Sequence, residues 1–276
     1  MDIGPLIDAA RLTQAQEGLV LLDVRPREAY LQGHLPGARW VDLEQHLSTA
    51  RDPGFDPAAG GRHPLPPAAR FATQLGSWGI ARDTPVVICD GQSSGGGGAR
   101  LWWMLRALGH RPVGVVNGGF EALREAELPL TETEPGPSDL PPYPAAVWAL
   151  PQVSLEEIAL VLESSGRIVL DVRSPERWRG EVEPFDPIPG RLPGSRNLDW
   201  RASLGPDGRF LPPEQLREHF LDTLGPFEPE RMIVHCGSGV TACATLLALE
   251  AAGFPGAAVY MGSYSEWCRN RPIATG

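Results

Sequence analysis

The sequence predicts an α/β protein of two tandem domains, each a mainly parallel sheet flanked by helices. Three observations carry this. Short apolar runs alternate with helical segments along the whole chain, which is the pattern of βα units. The order of those segments returns in the second half, as a duplication requires. An acidic, Pro-rich stretch over 131–144 separates the copies and reads as a linker. The expected domains are residues 1–131 and 145–276, with 132–144 as the linker.

Taken in order, residues 19–25 form an apolar strand ending in Asp23-Val24-Arg25, and a short helix starts at Pro26. Gly33-His34-Leu35-Pro36-Gly37 is a turn. A helix is expected over 67–78 and a buried-type strand over 85–90. The glycine loop 91–98 and a helix over 99–108 follow, then a third strand over 113–116 and Asn117-Gly118-Gly119-Phe120. The second copy repeats this. Residues 167–173 end in Asp171-Val172-Arg173, and Gly190-Arg191-Leu192-Pro193-Gly194 repeats the turn. Residues 231–236 repeat the second strand, which sets Cys236 opposite Asp90. Residues 257–264 repeat the third. Ser154 and Glu157 are spaced as a capping box, so a helix starts there.

Composition excludes several functions. The net charge of -10 argues against a nucleic-acid binder, because phosphate contacts need clustered cations. No window is long and apolar enough for a membrane span, and no secretory signal opens the chain. Cys89, Cys236, Cys243 and Cys268 have no metal-ligand spacing. Neither a metal nor an organic cofactor is expected. Reduced thiols in the cytoplasm are the expected setting.

The stretch 233–242, Ile-Val-His-Cys-Gly-Ser-Gly-Val-Thr-Ala, is the candidate centre. An apolar strand delivers Cys236 to a two-glycine loop that opens a helix. Backbone N–H groups of such a loop and helix start favour an anionic sulfur. Gly237 and Gly239 permit the sharp turn, and the Ser238 and Thr241 hydroxyls can add hydrogen bonds. The other reading of Cys236 is a buried structural cysteine. Cys243, seven residues on, reads as a small apolar helix residue. His235 points to the opposite strand face and reads as structural. Gly95 to Gly98 lack the Lys and Ser/Thr of a phosphate loop. Trp102, Trp103 and Leu105 read as core or domain interface.

The Cys236-Gly237-Ser238-Gly239-Val240-Thr241-Ala242 loop, both Asp-x-Arg strand ends, the Gly33–Gly37 turn and Gly262-Ser263-Tyr264-Ser265-Glu266-Trp267 carry a resemblance. Along its whole length the chain resembles tandem rhodanese-like sulfurtransferases. The loop is similar to the 3-mercaptopyruvate type; thiosulfate-using members carry Arg-Lys where this chain has Gly237-Ser238. The resemblance implies that sulfane sulfur passes from 3-mercaptopyruvate or thiosulfate to a thiol or cyanide through a persulfide on Cys236. It also implies that only the C-terminal copy is catalytic, with a thioredoxin-like protein as a further acceptor.

By motif position, the resemblance makes Ser238 and His63 the serine and histidine of a proton relay, with Glu44 at the acid position in place of Asp. Arg177 matches the first of two substrate arginines. The second falls at Phe185, so Arg179 or Arg191 is the expected substitute. Gly237, Gly239, Val240 and Thr241 complete the expected substrate-binding loop. His63 is equally readable as an exposed loop histidine. Two other functions compete. Phosphatases of this domain type need an arginine six residues after the cysteine; this chain has Ala242, which excludes that chemistry. A thiosulfate sulfurtransferase and a non-catalytic persulfide carrier or regulatory binding module remain as alternatives.

Overall fold

The computed structural model describes residues 3–12, 18–91, 96–145, 147–164 and 166–276. Residues 92–95 of the glycine loop lie outside them. The chain divides into two compact units. The first comprises Met1–Leu47, Pro66–Ala149 and Pro206–Phe210. The second comprises Ser48–Leu65, Leu150–Gly205 and Leu211–Gly276. His63, which chain position assigns to the N-terminal copy, therefore lies in the same unit as Cys236.

The first unit holds β1 (Leu6–Ile7), β2 (Val20–Asp23), β3 (Arg39–Trp40), β4 (Val86–Cys89) and β5 (Val113–Val116). They form one parallel sheet in the order β1-β5-β4-β2-β3. The second unit holds β6 (Ile168–Asp171), β7 (Arg196–Asn197), β8 (Met232–His235) and β9 (Ala258–Val259), parallel in the order β7-β6-β8-β9. A parallel bridge from Gln152 to Val259 stands where β1 stands in the first unit. The duplication seen in the sequence is thus a duplication of topology. Registers agree as well: Asp23 faces Cys89 and Asp171 faces His235.

Every residue of β4 and β8 is buried, as a parallel strand covered on both faces requires. Helix Gly97–Ala107 buries Trp102, Trp103 and Leu105, which are therefore core. Helix Thr241–Ala251 is buried from Ala242 through Leu249, because its apolar residues encircle it. Helix Leu155–Glu163 begins with the capping box: Glu157 N–H donates to Ser154 Oγ at 3.2 Å, and Ser154 N–H to Glu157 Oε2 at 2.7 Å.

The two Asp-x-Arg strand ends are structural locks. Arg25 pairs with Asp23 at 2.6 Å and donates to the Gly33 carbonyl at 2.8 Å. Arg173 pairs with Asp171 at 2.7 Å and donates to the Gly190 carbonyl at 2.7 Å. Each buried pair ties a strand end to the Gly-rich turn that follows it. Their burial makes the pairing obligatory, since an unpaired buried charge is costly.

Candidate active site

Cys236 follows β8 directly and is 1% exposed. The loop then turns into helix Thr241–Ala251. Gly239 makes that turn with φ at +73°, and a Cβ there would lie 2.5 Å from the Met261 carbonyl oxygen. Only glycine meets both conditions. Cys243 donates its thiol to the Gly239 carbonyl at 3.4 Å inside the buried helix, as a small core residue does.

The N–H groups of the loop do not act alike. Cys236 N–H donates to Ser263 Oγ at 3.2 Å. The N–H groups of Gly237 and Ser238 have no acceptor among the described residues, although both residues are buried. Buried donors are normally satisfied. Two orphan donors beside a buried thiol form a cradle for an anionic atom, as backbone nests do. They do not donate to the Cys236 sulfur itself, so the atom they suit lies beyond it.

Ser238 and His63 come together: the serine Oγ is 3.0 Å from His63 Nδ1. A hydroxyl hydrogen-bonded to an imidazole is a path for a proton. The neighbouring residue, Arg62, was not among the sequence candidates. A Cβ at Gly237 would lie 3.2 Å from Arg62 Nη2 and 3.1 Å from Arg177 Nη2. Two guanidiniums thus lie against the residue that follows Cys236. Both also stack on the Phe185 ring, each 5.1 Å from its centroid, and that ring is 61% exposed. Position 185, expected to hold the second arginine, holds instead an aromatic support for the pair. The only signal for Arg62 in the sequence was its place beside His63.

Buried carboxylates fix the two arginines. The Glu183 side chain, 1% exposed, bonds Arg177 at 2.7 Å and Arg173 at 3.1 Å. Asp186 bridges Arg62 and Arg269, the latter at 2.8 Å. Burial pushes the Asp186 carboxyl up, but hydrogen bonds from Arg62 and then Arg269 outweigh it and hold the group below the ordinary carboxylate range. Burial likewise raises Asp171, against the nearby His235 and Arg173, which bring it below that range. Burial lowers His235, against the charge of Asp171.

A depressed carboxyl stabilises the fold fully above its unfolded pKa and loses that contribution as pH falls through the folded value. The protein should therefore lose stability as pH drops below about 4. Asp186→Asn should be less stable at neutral pH and show a shallower acid loss, measured as urea midpoints across that range.

The remaining candidates sit as follows. Val240 precedes helix Thr241–Ala251, and Thr241 is its first residue. Arg179 pairs with Glu181 at the surface, at 2.6 Å. Arg191 lies 4.2 Å over the Trp178 ring and donates to the Gly276 carbonyl at 2.7 Å. The structure thus engages Arg179 and Arg191 elsewhere and sets Arg62 beside Arg177. Glu44 lies in the first turn of helix Leu43–His46 in the first unit. Asp90, at the position equivalent to Cys236, accepts the N–H groups of Gly91 and Gly98, each at 2.7 Å. Its own carboxylate occupies the N-terminal loop's donors.

Residues 8–126 and 154–270 each match the family model of the rhodanese-like domain. The chain belongs to the rhodanese-like family. A probable 3-mercaptopyruvate sulfurtransferase of Pseudomonas aeruginosa is 41% identical, covering 97% of this chain and 95% of that protein. A thiosulfate sulfurtransferase of Cricetulus griseus is 35% identical over 98% of this chain and 92% of its own length. The solved structure of 3-mercaptopyruvate sulfurtransferase from Leishmania major superposes with a TM-score of 0.82 at 29% identity, over 95% of this chain and 74% of that one. This chain is a tandem-domain rhodanese-like sulfurtransferase. No helix among its described residues is long and apolar enough to cross a membrane. No cluster of three or more His, Cys, Asp or Glu among them could hold a metal ion.

Proposed function

We propose that Cys236 carries sulfur from 3-mercaptopyruvate to an acceptor thiol or cyanide through a persulfide. The Cys236 thiolate attacks the donor's sulfur, and a sulfur–sulfur bond forms as the sulfur–carbon bond breaks. The electron pair of the broken bond stays on carbon as the pyruvate enolate, which takes a proton to become pyruvate. The acceptor then attacks the outer sulfur and releases Cys236 as thiolate. This is covalent catalysis in two stages, with ping-pong kinetics.

The hydrogen bond between Ser238 and His63 carries the choice of donor. An enolate leaving group needs a proton, and this pair can pass one; sulfite leaving from thiosulfate needs none. Arg62 and Arg177 bind the donor's carboxylate as charge-assisted partners. The orphan N–H groups of Gly237 and Ser238 receive the outer sulfur of the persulfide. Thiosulfate is the second reading, favoured by the relative of that name and by an arginine pair able to take a dianion.

The N-terminal copy has no nucleophile of its own in this proposal, because Asp90 stands at the position of Cys236. A thioredoxin-like protein is the proposed macromolecular acceptor and the cytoplasm the proposed setting, where four free cysteines persist as thiols. The test is kcat/KM for mercaptopyruvate and thiosulfate in wild type, Ser238→Ala and His63→Asn. Both variants should lose mercaptopyruvate turnover by about 10²-fold or more and keep most thiosulfate turnover. Equal losses for both donors would assign the pair to structure instead.

A further inference from the structure

The Gly262-Ser263-Tyr264-Ser265-Glu266-Trp267 motif has no part in the steps above. Helix Ser263–Asn270 begins on it. Ser263 is 0% exposed with φ at +55°, in the left-handed region that residues with a side chain avoid. Its counterpart in the first unit is Gly119, which holds φ at +59°. A Cβ on Gly119 would lie 1.8 Å from the Gly91 carbonyl oxygen. Both copies thus turn left-handed at this point, and glycine is the unstrained way to do it. The second copy keeps a serine there despite the strain, the kind of local conflict that marks functional positions.

The hydroxyl gives the reason. Ser263 Oγ accepts the Cys236 N–H at 3.2 Å and donates to the Tyr260 carbonyl at 2.8 Å. The next two residues hold the two peptides that follow. Tyr264 N–H donates to the Cys236 carbonyl at 3.0 Å, and Ser265 N–H to the Gly237 carbonyl at 2.9 Å. In the first unit Phe120 N–H donates to the Asp90 carbonyl at 2.9 Å, so the backbone contact is common to both copies. The serine hydroxyl is the addition. A trans peptide sets each N–H opposite the preceding carbonyl, and no peptide bond here is cis. Holding the Cys236 and Gly237 carbonyls therefore turns the N–H groups of Gly237 and Ser238 away from the helix. Those are the two buried donors without an acceptor.

We propose that Ser263 is a positioning residue for the sulfur-carrying loop: its left-handed backbone sets the Tyr264 and Ser265 N–H groups on the Cys236 and Gly237 carbonyls, its buried hydroxyl fixes the Cys236 N–H just before them, and the Gly237 and Ser238 N–H groups so stay aimed at the outer sulfur. The inference rests on Cys236 as the sulfur carrier. The test uses full-length Ser263→Gly and Ser263→Ala beside wild type. It reads kcat and KM with mercaptopyruvate, the melting temperature, and the rate of Cys236 alkylation by iodoacetamide at neutral pH, followed by mass.

Ser263→Gly should melt above Ser263→Ala, because both lose the hydroxyl but only glycine relieves the strain. Its kcat should fall about tenfold with KM nearly unchanged, as misplacement of reacting groups predicts. Cys236 alkylation should slow as well, because the Cys236 N–H loses its acceptor and the thiol its fixed position. Ser263→Ala should show the same kcat loss with a lower melting temperature, and either variant suffices if the other fails to fold. Wild-type kcat and alkylation rate in Ser263→Gly would overturn the proposal, as would a change confined to KM. If wild type gains no sulfur from either donor, the sulfur-carrier reading falls, and the alkylation rates alone decide the role of Ser263.

Discussion

Cys236→Ser should fold normally and lose sulfur transfer by at least about 10³-fold with either donor. The substitution is nearly isosteric, so stability should change by no more than about 1 kcal/mol. A hydroxyl cannot replace the thiolate as a nucleophile toward sulfur. The other cysteines cannot stand in. Cys243 is spent on the Gly239 carbonyl within a buried helix. Burial pushes the Cys89 thiol well up, and burial also raises Cys268, which leaves both mostly protonated at neutral pH. Paired measurements of kcat/KM and melting temperature check this. Substantial turnover by folded Cys236→Ser would mean that another group carries the sulfur.

Arg62→Ala and Arg177→Ala should each lower kcat/KM for mercaptopyruvate by about 10- to 100-fold. A charge-assisted hydrogen bond to a carboxylate contributes about 1.5–3 kcal/mol, which converts to that range. The loss should fall mainly on KM, because a carboxylate remote from the breaking bond is bound alike in ground and transition states. Arg62→Ala leaves Asp186 its bond to Arg269, so the fold keeps a partner for the buried carboxylate. Arg177→Ala leaves Glu183 its bond to Arg173. Arg179→Ala and Arg191→Ala are the comparison. If either produced the larger loss, the substrate pair assigned to Arg62 and Arg177 would be wrong.

Most of the fold was legible because its signals are local. Continuous apolar runs mark β4 and β8, and the capping box marks the start of helix Leu155–Glu163. The return of Asp-x-Arg and of the Gly-rich turn marks the duplication. The thiol loop was legible for the same reason: strand, cysteine, two glycines and helix are contiguous. The arginine pair was not. Arg62 reaches Gly237 across the chain, on a segment, Ser48–Leu65, that packs in the second unit. No periodicity in 48–65 announces that exchange. A search near Phe185 for a missing cation could not find one that stacks on that ring from Arg62. The part played by Ser263 was also hidden, because a positive φ at a serine has no sequence signature; only its duplicate, Gly119, hints at it.

The most direct test is the mass of the protein after exposure to 3-mercaptopyruvate and removal of excess donor. Wild type should gain one sulfur atom, mapped to the peptide that contains Cys236, and lose it on addition of a thiol or cyanide. Cys236→Ser should gain none. An unmodified wild type that still turns over, or equal sulfur gain in Cys236→Ser, would contradict the persulfide account.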